Sequence, residues 1–110
     1  MGRYITTIGT AGTTTREIST TFSASVNDRI LANTASSAYT ITLPVNSGLI
    51  VSDTIQIIDI SNNAGSNNLT IARNSSKING ATEDLTVDVN GAIITLIYTG
   101  ATYGWVIGAV

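Results

Sequence analysis

Between Asp84 and Trp105 the chain spells out strands and turns with little room for another reading. Leu85-Thr86-Val87-Asp88-Val89 alternates apolar and polar residues, the period of a half-buried strand. Asn90-Gly91 follows, the dipeptide best suited to the positive φ angles of a type I′ hairpin turn. Ile93-Ile94-Thr95-Leu96-Ile97-Tyr98 is apolar on both faces, which predicts a strand lying between two layers rather than under water. Residues 99–104 turn the chain back, and Trp105-Val106-Ile107 returns along it. A three-stranded unit follows from local signals alone.

The preceding chain reads in the same way. Residues 16–22 form a predicted strand with Ile18 and Phe22 as its apolar points, and residues 28–33 form the next. Tyr39, Ile41 and Leu43 share one face of a strand that Pro44 ends, because proline cannot donate to a ladder. In residues 53–60, Ile55 and Ile57 share one face, while Thr54, Gln56, Ile58 and Ile60 share the other. Leu49-Ile50-Val51 is expected to tuck under the edge of the fold. Residues 68–73 form a further strand, and Asn79-Gly80 is a second Asn-Gly turn. No segment has a helical period, and no fixed internal repeat supports a solenoid. Short strands at this spacing predict an all-β fold, an antiparallel sandwich or jelly-roll-like barrel. Ile41, Ile57, Leu96 and Trp105 are its expected core.

Residues 1–15 differ from the rest. Tyr4, Ile5 and Ile8 are apolar points on an otherwise Gly- and Thr-rich thread, which gains order only by lying on something. The domain expectation is therefore an extended arm over residues 1–15 and a β-sandwich domain over residues 16–110.

Composition narrows the chemistry. The 110 residues fit one domain, are 11% charged and carry a net charge of −2, whereas about a quarter of residues are charged in an ordinary soluble protein. Threonine, serine and asparagine supply the polarity instead, which suits a surface packed within an assembly. Nothing resembles a phosphate-binding footprint, so nucleic acid is not an expected partner. No apolar run is long enough to span a bilayer, so neither is a membrane. Histidine and cysteine are absent, which removes the commonest general base, the commonest transition-metal ligand and any disulfide framework. No catalytic residue, metal site or cofactor is expected, and the chain is not read as an enzyme.

Asp28, Asp53, Asp59, Glu83, Asp84 and Asp88 stand at strand ends beside Asn and Gly, where a carboxylate accepts backbone hydrogen bonds. That reading outweighs a glycosidase pair. Asp88-Val89-Asn90-Gly91 lacks the further ligands of a calcium loop. The few aromatic residues are expected in the core, with Tyr103 the exception because it lies in a turn. Arg16, Arg29 and Arg73 suit ion pairs on strand faces or bridges between subunits. Tyr4, Ile5, Ile8, Arg16 and Tyr103 are the candidate interface residues.

The motifs also occur in a distinctive order: Met1-Gly2-Arg3-Tyr4-Ile5, Asn27-Asp28-Arg29-Ile30, Tyr39-Thr40-Ile41-Thr42-Leu43-Pro44, and Asp53-Thr54-Ile55 leading to Ile58-Asp59. Next come Asn68-Leu69-Thr70-Ile71-Ala72-Arg73-Asn74, Lys77-Ile78-Asn79-Gly80, Glu83-Asp84-Leu85-Thr86, and Leu96-Ile97-Tyr98 with Gly104-Trp105. Taken together, the set resembles the small β-rich module recurrent in virion structural proteins of tailed bacteriophages, notably phages of cyanobacteria. The loop at residues 45–52 departs from the pattern, which often has a Pro-rich turn and a glycine directly before the aspartate. The resemblance implies a virion part. The reading drawn from it is a homotrimeric capsid decoration (cement) protein that clamps the major capsid protein, with the arm as clamp or exchanged strand. The alternative is a tail or tail-fibre module binding host-surface glycan. Absence of a coiled-coil or collagen-like shaft in these residues favours the first.

Overall fold

The computed structural model describes residues 12–109, which form nine strands and no helix. They are β1 (Thr14–Ile18), β2 (Phe22–Ser23), β3 (Asp28–Ala32), β4 (Tyr39–Thr42), β5 (Thr54–Asp59), β6 (Leu69–Ala72), β7 (Leu85–Val87), β8 (Ile93–Tyr98) and β9 (Trp105–Ala109). A five-stranded sheet has the order β1-β3-β5-β8-β9, and a four-stranded sheet has the order β2-β4-β6-β7.

From β1 to β6 the chain alternates between the sheets, and each strand from β3 on lies parallel to the one laid down a coil earlier. Three coils of two strands are therefore stacked. Among the named strands, antiparallel pairing is confined to β5–β8, β6–β7 and β8–β9. This corrects two expectations. The sheets are mixed, where an antiparallel sandwich or jelly roll was expected, and the winding is solenoid-like despite the lack of a repeat. The coils hide their period because they differ in length. Thr14 pairs with Asp28, but Arg29 pairs with Gln56, 27 residues on.

The two sheets bury their inner faces in one cluster. Ile30, Ile55, Ile57 and Leu96 from the larger sheet meet Tyr39, Ile41, Leu69 and Ile71 from the smaller. Trp105 is fully enclosed, with Tyr98 edge-on to it at 5.4 Å between ring centroids. The expected core residues Ile41, Ile57, Leu96 and Trp105 are all buried. Burial of such aliphatic side chains contributes on the order of 1.5–3 kcal/mol each.

Local chemistry sets the turns. Asn79 and Gly80 have φ of 50° and 78°, and Ile78 and Ala81 exchange both backbone hydrogen bonds across them. That is the type I′ geometry this dipeptide favours. Gly104 is required by close approach, since a Cβ there would fall onto the Lys77 carbonyl, which accepts the Trp105 N–H at 2.8 Å.

Several local expectations are corrected. Asn90-Gly91 makes no hairpin, because β7 lies in the smaller sheet and β8 in the larger; only Gly91 has a positive φ, 73°. The strand expected over residues 16–22 breaks into β1 and β2, which belong to different sheets. Leu49 packs on the core, but Ile50 and Val51 stand in solvent at 69% and 61% exposure. Of the arm expected over residues 1–15, residues 1–11 lie outside the described residues, and Thr14 and Thr15 belong to β1.

Candidate interaction surface

The most connected polar group is a structural pin. Asp59 ends β5 as a buried carboxylate. It accepts from the Ser61 N–H and hydroxyl at 3.2 and 2.8 Å, from the Asn63 and Ala64 N–H groups at 2.9 Å each, and from the Gly91 N–H at 3.0 Å. Burial pushes its pKa up, but the donors at Gly91, Ala64, Ser61 and Asn63 together outweigh burial and hold it below the ordinary carboxylate value. The pin fastens the crossing at Asn90-Gly91 to the turn after β5. Thr34 joins the same knot, donating its N–H to Ser61 Oγ and accepting from the Asn63 and Asn67 side-chain amides.

Asp28, Asp53 and Asp84 are similarly engaged, whereas the backbone bonds expected at Glu83 and Asp88 are not made among the described residues. Asp28 accepts from the Ser25 N–H at 2.8 Å and pairs with Arg16 at 3.1 Å. Asp53 accepts from the Ile50 N–H, and Asp84 from the Arg73 N–H. Among the described residues no three His, Cys, Asp or Glu side chains gather as metal ligands would.

A small cleft of about 140 Å³ has basic character. Arg73, Lys77, Ser75 and Ser76 line it together with Asn46 and Thr82. Arg73 donates to the Ser76 carbonyl at 3.1 Å, and the buried Ser76 hydroxyl has no protein partner. Space of this size takes about one six-membered ring rather than an extended chain, since a cavity of about 150 Å³ accommodates benzene.

Of the candidate interface residues, Tyr4, Ile5 and Ile8 lie outside the described residues. Arg16 sits on β1, an edge strand of the larger sheet among the described residues, paired with Asp28 and lying 5.8 Å from the Phe22 ring centroid. Tyr103 is 63% exposed in the loop between β8 and β9. These two do not converge, since β1 and β9 are opposite edges of the larger sheet.

The feature those candidates omit is the outward face of that sheet. Register aligns Leu31, Ile58 and Ile93 in one row across β3, β5 and β8. Ile97 and Val106 adjoin in another row, beside Thr54. Ile93, Ile97 and Val106 are each more than one-third exposed. Their signal was the two-faced apolarity of residues 93–98, which called for a layer on both sides. Among the described residues only the smaller sheet supplies one. No protein-family model and no curated protein matches the chain.

Proposed function

We propose that this is a bacteriophage virion structural protein, a non-enzymatic, homotrimeric capsid decoration (cement) protein at the capsid surface, stabilising the shell through the major capsid protein. Two lines support the reading. The ordered motifs along nearly the whole chain resemble the virion module described above. The observation that carries an assembly role is the aliphatic outward face of the larger sheet, which nothing among the described residues covers, because an isolated two-layer protein gains nothing by placing isoleucine rows in water. In this reading the fold is a two-layer β sandwich whose N-terminal arm, the residues before β1, clamps or is exchanged between subunits. No cofactor is invoked.

Location and stoichiometry in purified particles test this. Hundreds of copies on heads, located by cryo-electron microscopy, are expected. A handful of copies on tails would overturn it in favour of a tail module binding host-surface glycan. The basic cleft at Arg73 and Lys77, with its free hydroxyl, favours an anionic sugar as the ligand of that second reading, and binding to a glycan array tests it.

A further inference from the structure

The outward face of the larger sheet is ordered in layers across its strands. Glu17, Leu31, Ile58 and Ile93 form one layer, with Glu17 out on the edge strand β1. Arg29, Gln56 and Thr95 form the next, with Arg29 Nε donating to Gln56 Oε1 at 3.0 Å. Thr54, Ile97 and Val106 form the third. Two largely aliphatic layers thus flank a polar one. Over β5 and β8, the middle of the face, no side chain is charged.

This order restricts what can cover the face. A partner must present aliphatic, amide or hydroxyl, then aliphatic groups at the rise of a strand. A second copy of this chain does so without further adjustment. Rotation about an axis parallel to the strands moves no residue along the strand direction, so each layer meets its own counterpart. With the axis between β5 and β8, Ile58 then packs on Ile93 of the next copy, Ile97 on Thr54, and Gln56, which both donates and accepts, meets Thr95. An axis in the face but across the strands would instead stack Arg29 on its own copy, placing like charges together. With the axis between β5 and β8, Arg29 on β3 swings to the rim, where charge is tolerated.

We propose that this face is the subunit interface of the trimer, with the threefold axis parallel to β5 and β8 and layers 31/58/93, 29/56/95 and 54/97/106 meeting like to like. The order of the axis rests on the trimer proposed above; the face and the axis direction rest on the layers.

Sedimentation equilibrium of the full chain tests it with Ile97→Glu and Ile93→Glu, which place a carboxylate in each aliphatic layer without entering the core. Wild type should sediment as a trimer. Each variant should be a folded monomer at pH 7, with trimer affinity at least about 100-fold weaker, the loss expected when a central interface position is disrupted. Acidification to about pH 4 should restore association, since burial and mutual repulsion raise the introduced carboxyl's pKa. A misfolded variant would show no such recovery. Thr70→Glu, on the outward face of the smaller sheet, should remain trimeric. A monomeric wild type, trimers that persist in both glutamate variants, or equal dissociation by Thr70→Glu would overturn the proposal. A trimer broken by the variants that decorates no capsid leaves this interface standing and removes the decoration reading. Capsid decoration by a trimer insensitive to the variants does the reverse.

Discussion

The two sheets are alike on their inner faces and unlike on their outer ones. Inside, both present fully buried aliphatics, with Ile55, Ile57 and Leu96 facing Ile41, Leu69 and Ile71. Outside, the smaller sheet carries Thr40, Thr70 and Thr86 in one row and Ser23, Thr42 and Ala72 in the next. The larger sheet carries Leu31, Ile58, Ile93, Ile97 and Val106 on either side of a polar row of Thr15, Arg29, Gln56 and Thr95, with Glu17 beside Leu31. Threonine keeps the β-branched shape a strand favours while its hydroxyl meets water. Isoleucine has the same shape without the hydroxyl. Shape therefore specifies the strand in both sheets, and polarity reports what lies beyond it. The smaller sheet's outer face is hydroxyl-rich, and the larger sheet's outer face carries aliphatic rows.

The largest effects are expected where the sheets agree. Ile57→Ala and Ile71→Ala should each cost about 2–5 kcal/mol in urea denaturation. A cost at only one of them would mean that the sheets do not share a core. Next comes the pin at the end of β5, for which the smaller sheet has no counterpart. Asp59→Asn aims a donor at N–H groups that the carboxylate now satisfies, with a cost of about 1–3 kcal/mol. Its pH dependence has a definite sign. The folded-state pKa lies below the ordinary carboxylate value of 3.8, so its contribution is present above pH 4 and is lost as pH falls through the lower folded value. The melting temperature of wild type should drop in that acid window more steeply than that of Asp59→Asn.

A smaller difference should separate Gly91→Val from Gly48→Val. Both glycines have positive φ, but a Cβ at Gly91 would stand 3.1 Å from Asn62 Oδ1, and at Gly48 nothing lies within 4 Å. Gly91→Val should be the less stable, by roughly 1 kcal/mol, and equal melting temperatures would contradict the pinned crossing. The smallest change in monomer stability belongs to the outer faces. Ile93→Thr should alter the unfolding free energy of the dissociated chain by about 0.5 kcal/mol or less, while Thr70→Ile should lower solubility by extending aliphatic surface to the other sheet. A large stability loss in Ile93→Thr would mean that its side chain belongs to the monomer's own core.

Strand positions were legible in the sequence because alternation is local. The faces of residues 39–43 and 53–60 follow from period two alone, and burial of Ile41, Ile55 and Ile57 agrees. Pairing was not legible, because parallel neighbours are joined by connections of unequal length and carry no turn signature. The two Asn-Gly dipeptides show where local reasoning stops. Asn79-Gly80 has pairing segments on both sides and makes the expected turn. Asn90-Gly91 is spelled identically, but Asp59 holds the Gly91 N–H and Asn90 Oδ1 accepts from Gly65 at 2.7 Å. Both partners are distant in sequence. Ile93 and Ile97 were legible as apolar, but a single chain does not reveal which surface would cover them.

The unequal coils also bear on how quickly the molecule can form. The β8–β9 hairpin can close locally, across the loop at residues 99–104. The central strand β5 must instead find β3 across 27 residues and β8 across 39. Each closure forfeits chain entropy before any burial rewards it. Refolding in the millisecond-to-second range of non-local β topologies follows, and during that interval the isoleucine rows of β5 and β8 stand beside unpaired strand edges. Newly made chains are then at their most adhesive, so production at low temperature and low concentration should favour soluble protein over aggregate.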